Sequence, residues 1–363
     1  MASVTAILVN YHGADDIVAA VVTVLVDAPT VRVVVVDNSE SEEESARLRL
    51  GLPGHVQLLV APRNLGFGAA CNWAASEATA DFYWLVNPDV RVQPGCLAHL
   101  LSAMRFDPLL GAVSPSQFLD ANRRWKFSPS WLPTGIDVWV RERALREPKI
   151  LARYGRAVRA ETLRLWGAEA LPVYQRALSG AVVLIRHACL SPVYGLFDPV
   201  YFMYFEDSDL CVRLRRSGWR MAIVPQAEAV HLWRMGGHKN QLMADAAPLY
   251  FDRHFSKSRW LSEGRTLARF PQAPLVPQHV WAPGAAFGVP RAWRSGWSLE
   301  ISYQALFLPS VGLLGSGEWV PWPTELVDAV EGVPLVARMG PLAEGVGQPV
   351  IVNLGVEQGR AER

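Results

Sequence analysis

The sequence predicts an α/β fold built on a mostly parallel central sheet, followed by a small β-rich region. Two observations carry this expectation. Short, wholly apolar runs rich in valine alternate with helix-compatible segments through the first hundred residues. Such runs have no polar face, so their strands belong in a sheet covered on both sides, which is the parallel arrangement. After about residue 275 the pattern changes to strand-like pieces separated by Pro, Gly and Trp, the signature of a separate β-rich module.

In order along the chain, residues 4–9 form the first apolar run and 15–25 have helical spacing. Residues 31–36 are almost pure valine, and 42–50 are charged and helix-like. Apolar runs return at 56–60 and 81–86, with a good helix former at 69–80 between them. Segment 120–176 differs, with twelve Lys and Arg against six Asp and Glu. Trp125, Trp131, Trp139, Tyr154 and Trp166 are dispersed through it, and 136–166 fits one or two amphipathic helices. A solvated helical face is the ordinary reading of this segment; the sharper one is a basic surface meeting an anionic acceptor or lipid headgroups. Strand signals recur at 181–185 and 222–224, then at 299–303, 335–339 and 349–354. These readings give a first domain at 1–270, with 120–176 as a helical acceptor-side segment, and a second, β-rich domain at 275–363. The last residues, 357–363, read as a frayed tail.

Composition narrows the function classes. Of 363 residues, 50% are hydrophobic and 19% charged, enough for a sizeable core. The formal charge of +1 gives no electrostatic reason to expect a nucleic-acid partner. Cys71, Cys96, Cys189 and Cys211 show no zinc-type spacing and suit buried thiols in a reducing compartment. No apolar stretch is long enough to span a bilayer, and the N-terminus lacks a basic leader region, so the expectation is a cytoplasmic protein.

Five groups of residues could carry chemistry. Asp37 closes the valine run, and ligands of open α/β sheets bind beyond the carboxyl ends of the strands. Its carboxylate could accept hydrogen bonds from a ribose or base, or Asp37-Asn38-Ser39 could be a turn capping a helix. Arg63-Asn64-Leu65-Gly66-Phe67-Gly68 follows the next strand and opens a helix. Its glycines permit close approach of a ligand, and the helix start favours an anion; tight strand–helix packing is the structural alternative. Neither a dinucleotide fingerprint nor a P-loop is present. Asn87-Pro88-Asp89 places two oxygen-bearing side chains at a strand end, suited to Mg²⁺ or Mn²⁺, although it is also an ordinary turn. Glu206-Asp207-Ser208-Asp209 packs three carboxylates into an aromatic, apolar setting. Crowding there should raise one pKa toward the range of a general base, while a helix start would favour the same acids. His231 follows the last core strand, a satisfied structural histidine or a third metal ligand.

Together and in this order, these motifs resemble the inverting family 2 glycosyltransferases with a GT-A fold, most closely their bacterial rhamnosyltransferase-like branch. The matching residues are Val9-Asn10-Tyr11, Val36-Asp37-Asn38-Ser39, Asn64-Leu65-Gly66-Phe67-Gly68 with Asn72, Asn87-Pro88-Asp89, Ser179-Gly180-Ala181, Glu206 to Arg213, and His231, within residues 4–240. The resemblance implies that Asn10 and Asp37 contact ribose or base. It puts Arg63, Asn64, Gly66, Asn87 and Gly180 on the donor side. Asp89 would hold a divalent cation, Mg²⁺ or Mn²⁺, with His231 completing the site; Asn87 replaces the family's first Asp, and Gly236 lies farther from His231 than the family's usual spacing. Asp207 would be the base with Glu206 beside it, in a direct displacement at the anomeric carbon. The implied partners are a nucleotide-diphosphate sugar donor and a glycan or lipid-linked saccharide acceptor, with peripheral contact at the inner face of the plasma membrane; self-association is compatible with this. Rhamnose carried by dTDP follows from the nearest branch, with UDP- and GDP-sugars as alternatives. A sugar nucleotidyltransferase would need a basic, Gly-rich loop near the N-terminus, which Val9-Asn10-Tyr11-His12-Gly13 lacks. A non-catalytic carbohydrate-binding protein would account for the Trp-rich C-terminal part but not for the acidic cluster, and a nicotinamide dehydrogenase lacks its fingerprint.

Overall fold

The computed structural model describes residues 2–232, 237–272, 279–324, 326, 333–343 and 345–355. The expected frayed tail at 357–363 lies outside the described residues. In chain order the elements are β1 (Val4–Asn10), α1 (Ala14–Asp27), β2 (Arg32–Asp37), α2 (Glu42–Gly51), β3 (Gln57–Val60), α3 (Phe67–Glu77), β4 (Phe82–Val86), β5 (Val90–Val92), α4 (Cys96–Phe106), β6 (Leu110–Phe118), β7 (Lys126–Phe127), α5 (Gly135–Ala144), α6 (Pro148–Trp166), β8 (Val173–Gln175), β9 (Val182–Arg186), α7 (Glu206–Arg216), β10 (Arg220–His231), α8 (Gly237–Phe255), α9 (Arg259–Leu267), β11 (His279–Trp281), β12 (Phe287–Gly288), β13 (Trp297–Ser302), β14 (Val311–Gly315), β15 (Trp319–Val320), β16 (Leu335–Pro341) and β17 (Val350–Leu354).

The chain divides into two compact units. The first comprises Met1–Phe118, Ser130–Leu132 and Ala168–Ser256. Its sheet begins with β3, β2, β1 and β4 side by side and parallel. β9 then runs antiparallel to both β4 and β6, and β6 is parallel to β10. β10 in turn pairs antiparallel with β5 and β8. The fully apolar runs occupy the centre: Val33 to Val36 and Phe82 to Val86 are buried, as expected for strands covered on both faces. Helix α1 shows how the cover is made. Ile17, Ala20, Val21 and Val24 are all at 0% exposure, and their three- and four-residue spacing puts them on one stripe against the sheet. Because β1, β2 and β3 are parallel, their carboxyl ends open at one edge, and the loops after Asn10, Asp37 and Val60 gather there.

The second unit comprises Leu119–Pro129, Pro133–Gly167 and Lys257–Arg363. These units divide the chain differently from the expected 1–270 and 275–363. The physical reason lies in the pairing of β7 with β14 and in the polar ties of α6. Strands β14, β13, β16 and β17 form an antiparallel sheet, with β11 added parallel to β17. Buried inside it is an ion cluster. Arg338 grips Glu300 with two bonds of 2.7 and 2.6 Å and gives a third to the Gly155 carbonyl of α6 at 3.0 Å. Arg159 donates to Ser298 Oγ and the Pro341 carbonyl, both at 2.7 Å. Most of the aromatic residues dispersed through the basic segment are likewise internal: Trp125, Tyr154 and Trp166 are buried, and Trp139 packs on Trp260 at 4.6 Å, while Tyr174 is exposed. The exposed cations of that segment's long helix are Lys149, Arg153, Arg156 and Arg164, and with Trp125 and Trp166 buried the tryptophans do not form an exposed headgroup layer.

Candidate active site

Every candidate residue lies in the first unit. Parallel pairing puts Asn10 directly beside Asp37, and both are buried. Asn10 Nδ2 donates to Asp37 Oδ1 at 3.1 Å and to Glu44 Oε1 at 3.3 Å. Burial would push the Asp37 carboxyl up, but donors from Ser39, Ser45 and Asn10 outweigh it and hold the group below its ordinary value. The two hydroxyl donors, Ser39 Oγ and Ser45 Oγ, sit at 2.5 Å each. Asp37 is thus a fixed anion whose bonds are made within the protein. It shapes the loop of residues 38–45 through Ser39 and Ser45. Ser41 does cap α2, accepting from the Glu44 amide at 3.3 Å. Glu44, however, reaches the Ala14 amide at 2.6 Å and joins two loop ends, a role indistinguishable in sequence from that of its neighbours Glu42 and Glu43.

The next loop is tied to this one by Asn38, whose Nδ2 donates to Asn64 Oδ1 at 2.8 Å while its Oδ1 accepts from the Leu65 amide at 2.8 Å. Gly66 has φ +79°, and a Cβ there would lie 2.3 Å from the Phe202 carbonyl oxygen. That oxygen accepts from the Phe67 amide at 3.0 Å. Glycine is therefore required both by conformation and by contact, and the loop of residues 63–66 is joined to the segment leading into the acidic cluster. Arg63 is exposed. Asn72 clamps residues 194–197, donating to the Tyr194 and Phe197 carbonyls at 3.0 and 2.7 Å, so its role is structural.

The acidic cluster begins α7. Tyr204 and Phe205 immediately before it both have positive φ, 68° and 65°, a conformation L-residues rarely adopt and one that concentrates at functional sites. The three acids then separate. Asp209 is fully buried and bonded to Arg213 at 2.6 Å and His254 at 2.7 Å. Burial opposes its charge, but His254 and Arg213 hold the carboxyl below its ordinary value. It anchors α7 to α8; His254 carried no sequence signal, since nothing marks a partner 45 residues away. Glu206 is buried, and its Oε2 has no hydrogen-bond partner among the described residues. Burial, followed by the neighbouring Asp207 charge, pushes its carboxyl well up. Asp207 is half-buried, and its own value is raised by burial against the opposing bonds from the Gly180 and Ser208 amides. Those bonds are 3.3 and 2.6 Å.

Residues 179–181 connect this acid to the Asn87 turn, because the Asn87 amide donates to the Ala181 carbonyl at 2.8 Å. The turn in turn faces His231. Antiparallel pairing sets His231 opposite Val90, the Leu232 amide donates to the Asp89 carbonyl at 2.8 Å, and His231 Nε2 stands 3.4 Å from Asp89 Oδ2. An imidazole nitrogen and a carboxylate oxygen at this separation suit adjacent positions on one divalent cation, whose bonds to such ligands are about 2.0–2.2 Å. Among the described residues, no group of three or more His, Cys, Asp or Glu gathers for a metal; a cation here would take its other ligands from substrate and water. Gly236 lies outside the described residues.

Residues 2–244 match the sequence family described as glycosyltransferase like family 2. The chain belongs to that family, and its first unit has the GT-A fold. Over 196 residues it is 33% identical to N-acetylglucosaminyl-diphospho-decaprenol L-rhamnosyltransferase of Mycobacterium tuberculosis, covering 49% of this chain and 59% of that relative. It thus spans little more than half of the relative's length. A shorter match of 53 residues, 45% identical, is to the rhamnosyltransferase WbbL of Escherichia coli, over 15% of this chain and 20% of the relative. Among solved structures, GalNAc-T7 with UDP, GalNAc and Mn²⁺ aligns with a TM-score of 0.51 at 14% identity, over 76% of this chain and 52% of the other.

Proposed function

We propose that this protein is an inverting glycosyltransferase that moves a sugar, rhamnose by likeness to its relatives, from a nucleotide-diphosphate carrier to a lipid-linked saccharide. The observation that carries the reading is the pair Glu206-Asp207 at the start of α7. One acid is buried, its Oε2 without a hydrogen-bond partner among the described residues, and the other is half-open and held by the Gly180 amide. Asp207 is the general base. Its raised pKa makes it a better proton acceptor than an ordinary aspartate, and its partial exposure lets an acceptor hydroxyl reach it. Glu206, with its carboxyl driven toward the neutral form, limits the charge the pocket must hold. The acceptor oxygen gives its proton to Asp207 as it attacks the anomeric carbon, and the bond from that carbon to the diphosphate breaks on the opposite side.

Asp89 and His231 would hold Mg²⁺ or Mn²⁺; when bound, such an ion offsets negative charge on the departing diphosphate. Asn10, Asp37, Asn38 and Asn64 form a rigid, hydrogen-bonded floor on which the nucleotide rests, with Arg63, Gly66, Asn87 and Gly180 around the donor. No described helix is long and apolar enough to cross a membrane; the outward arginines Arg153, Arg156 and Arg164 would give salt-sensitive contact with an anionic lipid surface carrying the acceptor. The test is nucleotide-diphosphate release from dTDP-, UDP- and GDP-sugars with Mn²⁺ and an N-acetylglucosaminyl-diphospho-polyprenol acceptor. Acceptor-dependent release from dTDP-rhamnose is expected. Release from none of the donors would overturn the reading.

A further inference from the structure

Around His231 runs a line of hydrogen bonds whose directions are set from one end. Ser114, on β6, is buried, and its hydroxyl donates to the Val182 carbonyl of β9 at 2.7 Å. With its proton committed there, Ser114 Oγ presents lone pairs to Gln117, whose Nε2 lies 3.4 Å away. An amide whose nitrogen faces Ser114 must turn its oxygen the other way, and Gln117 Oε1 is 3.0 Å from His231 Nδ1. An oxygen acceptor at that distance requires Nδ1 to carry the proton. Neutral imidazole has one N–H, so Nε2 then holds the lone pair, and Nε2 is the nitrogen facing Asp89 Oδ2 at 3.4 Å. The opposite orientation of the amide would set its oxygen against the Ser114 lone pairs and give Nε2 a proton, which blocks coordination. Parallel pairing of β6 with β10 fixes the spacing of the line, with Gln117 beside Ala229, two residues before His231.

We propose that Ser114 and Gln117 are positioning residues that fix His231 in its Nδ1–H form and so present Nε2, with Asp89, to a divalent cation. The inference rests on the metal reading above for its purpose, but the tautomer can be observed without any metal. A partner on the second nitrogen of a ligating histidine commonly changes metal affinity by about ten- to a hundredfold when removed.

The test uses the full chain labelled with ¹⁵N-histidine at alkaline pH, with His231 assigned by loss of its signals in His231→Ala. Long-range ¹H–¹⁵N correlation is expected to show Nδ1 protonated in the wild type. Mn²⁺ alone, titrated by electron paramagnetic resonance, is expected to bind Gln117→Leu roughly ten- to a hundredfold more weakly. Gln117→Glu, which keeps an oxygen acceptor, should restore both the tautomer and most of the affinity. Protonated Nε2 in the wild type would overturn the proposal even if no variant folds. So would wild-type Mn²⁺ affinity in a folded Gln117→Leu protein. Unchanged Mn²⁺ binding in His231→Ala would instead overturn the metal reading, whatever the tautomer.

Discussion

Asp207 and Asp209 stand two residues apart, yet their substitution by asparagine should have opposite effects on stability. Asp209 is fully buried between Arg213 and His254, at 2.6 and 2.7 Å. Asparagine keeps the shape and one acceptor but removes the charge; the other contacts of Arg213 among the described residues are the Leu196 carbonyl at 3.0 Å and the Tyr194 ring. Breaking a buried ion pair by removing one partner costs about 3–5 kcal/mol, and the retained amide oxygen places the expected loss near the lower end, about 3 kcal/mol. The pH dependence has a definite sign. The folded-state pKa of Asp209 is lowered, so its contribution is present above the ordinary aspartate value and is lost as pH falls through the folded value. The deficit of Asp209→Asn should therefore shrink in acid. Asp207 is the reverse case: its folded-state pKa is raised, so its charge opposes folding once pH exceeds the ordinary value. Asp207→Asn should be as stable as the wild type at neutral pH, or more so. Urea unfolding followed by circular dichroism, at neutral and at acid pH, measures both. A loss under about 0.5 kcal/mol for Asp209→Asn, within the usual scatter of neutral surface changes, would refute the assignment of Asp209 as the anchor of α7.

Gly66→Ala must both hold φ at +79° and move the Phe202 carbonyl from a 2.3 Å contact; with ψ at 168° this backbone region is essentially restricted to glycine and costs another residue about 1–3 kcal/mol. The variant should lose at least that much stability in urea unfolding, together with donor binding by calorimetry. Truncation after residue 270 removes the partners of α6, including Ser298, Pro341 and Arg338, so the fragment is expected to be insoluble or partly unfolded by circular dichroism; a folded, soluble fragment would show that α6 needs none of them. Reversing Arg153 and Arg156 to Glu should weaken co-sedimentation with anionic vesicles at low salt by tenfold or more, given about 1 kcal/mol per basic residue near the surface. Equal sedimentation of the two proteins would remove α6 from any lipid contact.

The first unit was largely legible because its signals are local. A run such as Val33 to Val36 has no polar face, and that alone demands a sheet covered twice. Parallel pairing then brings Asn10, Asp37 and the loop of residues 63–66 to one edge without further information. The division of labour within Glu206-Asp207-Ser208-Asp209 was not legible, because it depends on distant partners. His254 takes Asp209, the Gly180 amide takes Asp207, and Glu206 Oε2 has no hydrogen-bond partner among the described residues. The same limit applies to the basic segment. Arg159 and Arg153 sit in the same helix and look alike in sequence. Only the long-range approach of Ser298 and Pro341 shows that Arg159 is internal while Arg153 is exposed. The compact units fall differently from the expected bounds for the same reason, since α6 takes polar partners from residues more than a hundred positions later.

The central claim is that Asp207 takes the acceptor's proton. Its most direct test is transfer by Asp207→Asn in the presence of Mn²⁺ and a donor the wild type uses, with donor binding measured on the same preparation by calorimetry. Removal of a general base typically costs about 10²–10⁴-fold in rate, and this variant is expected to be folded because the charge it removes opposes folding. The account predicts a fall of that size in transfer with donor affinity nearly unchanged. Transfer within about tenfold of the wild type would fall short of the loss expected for a base. It would contradict the account and move the role to another group.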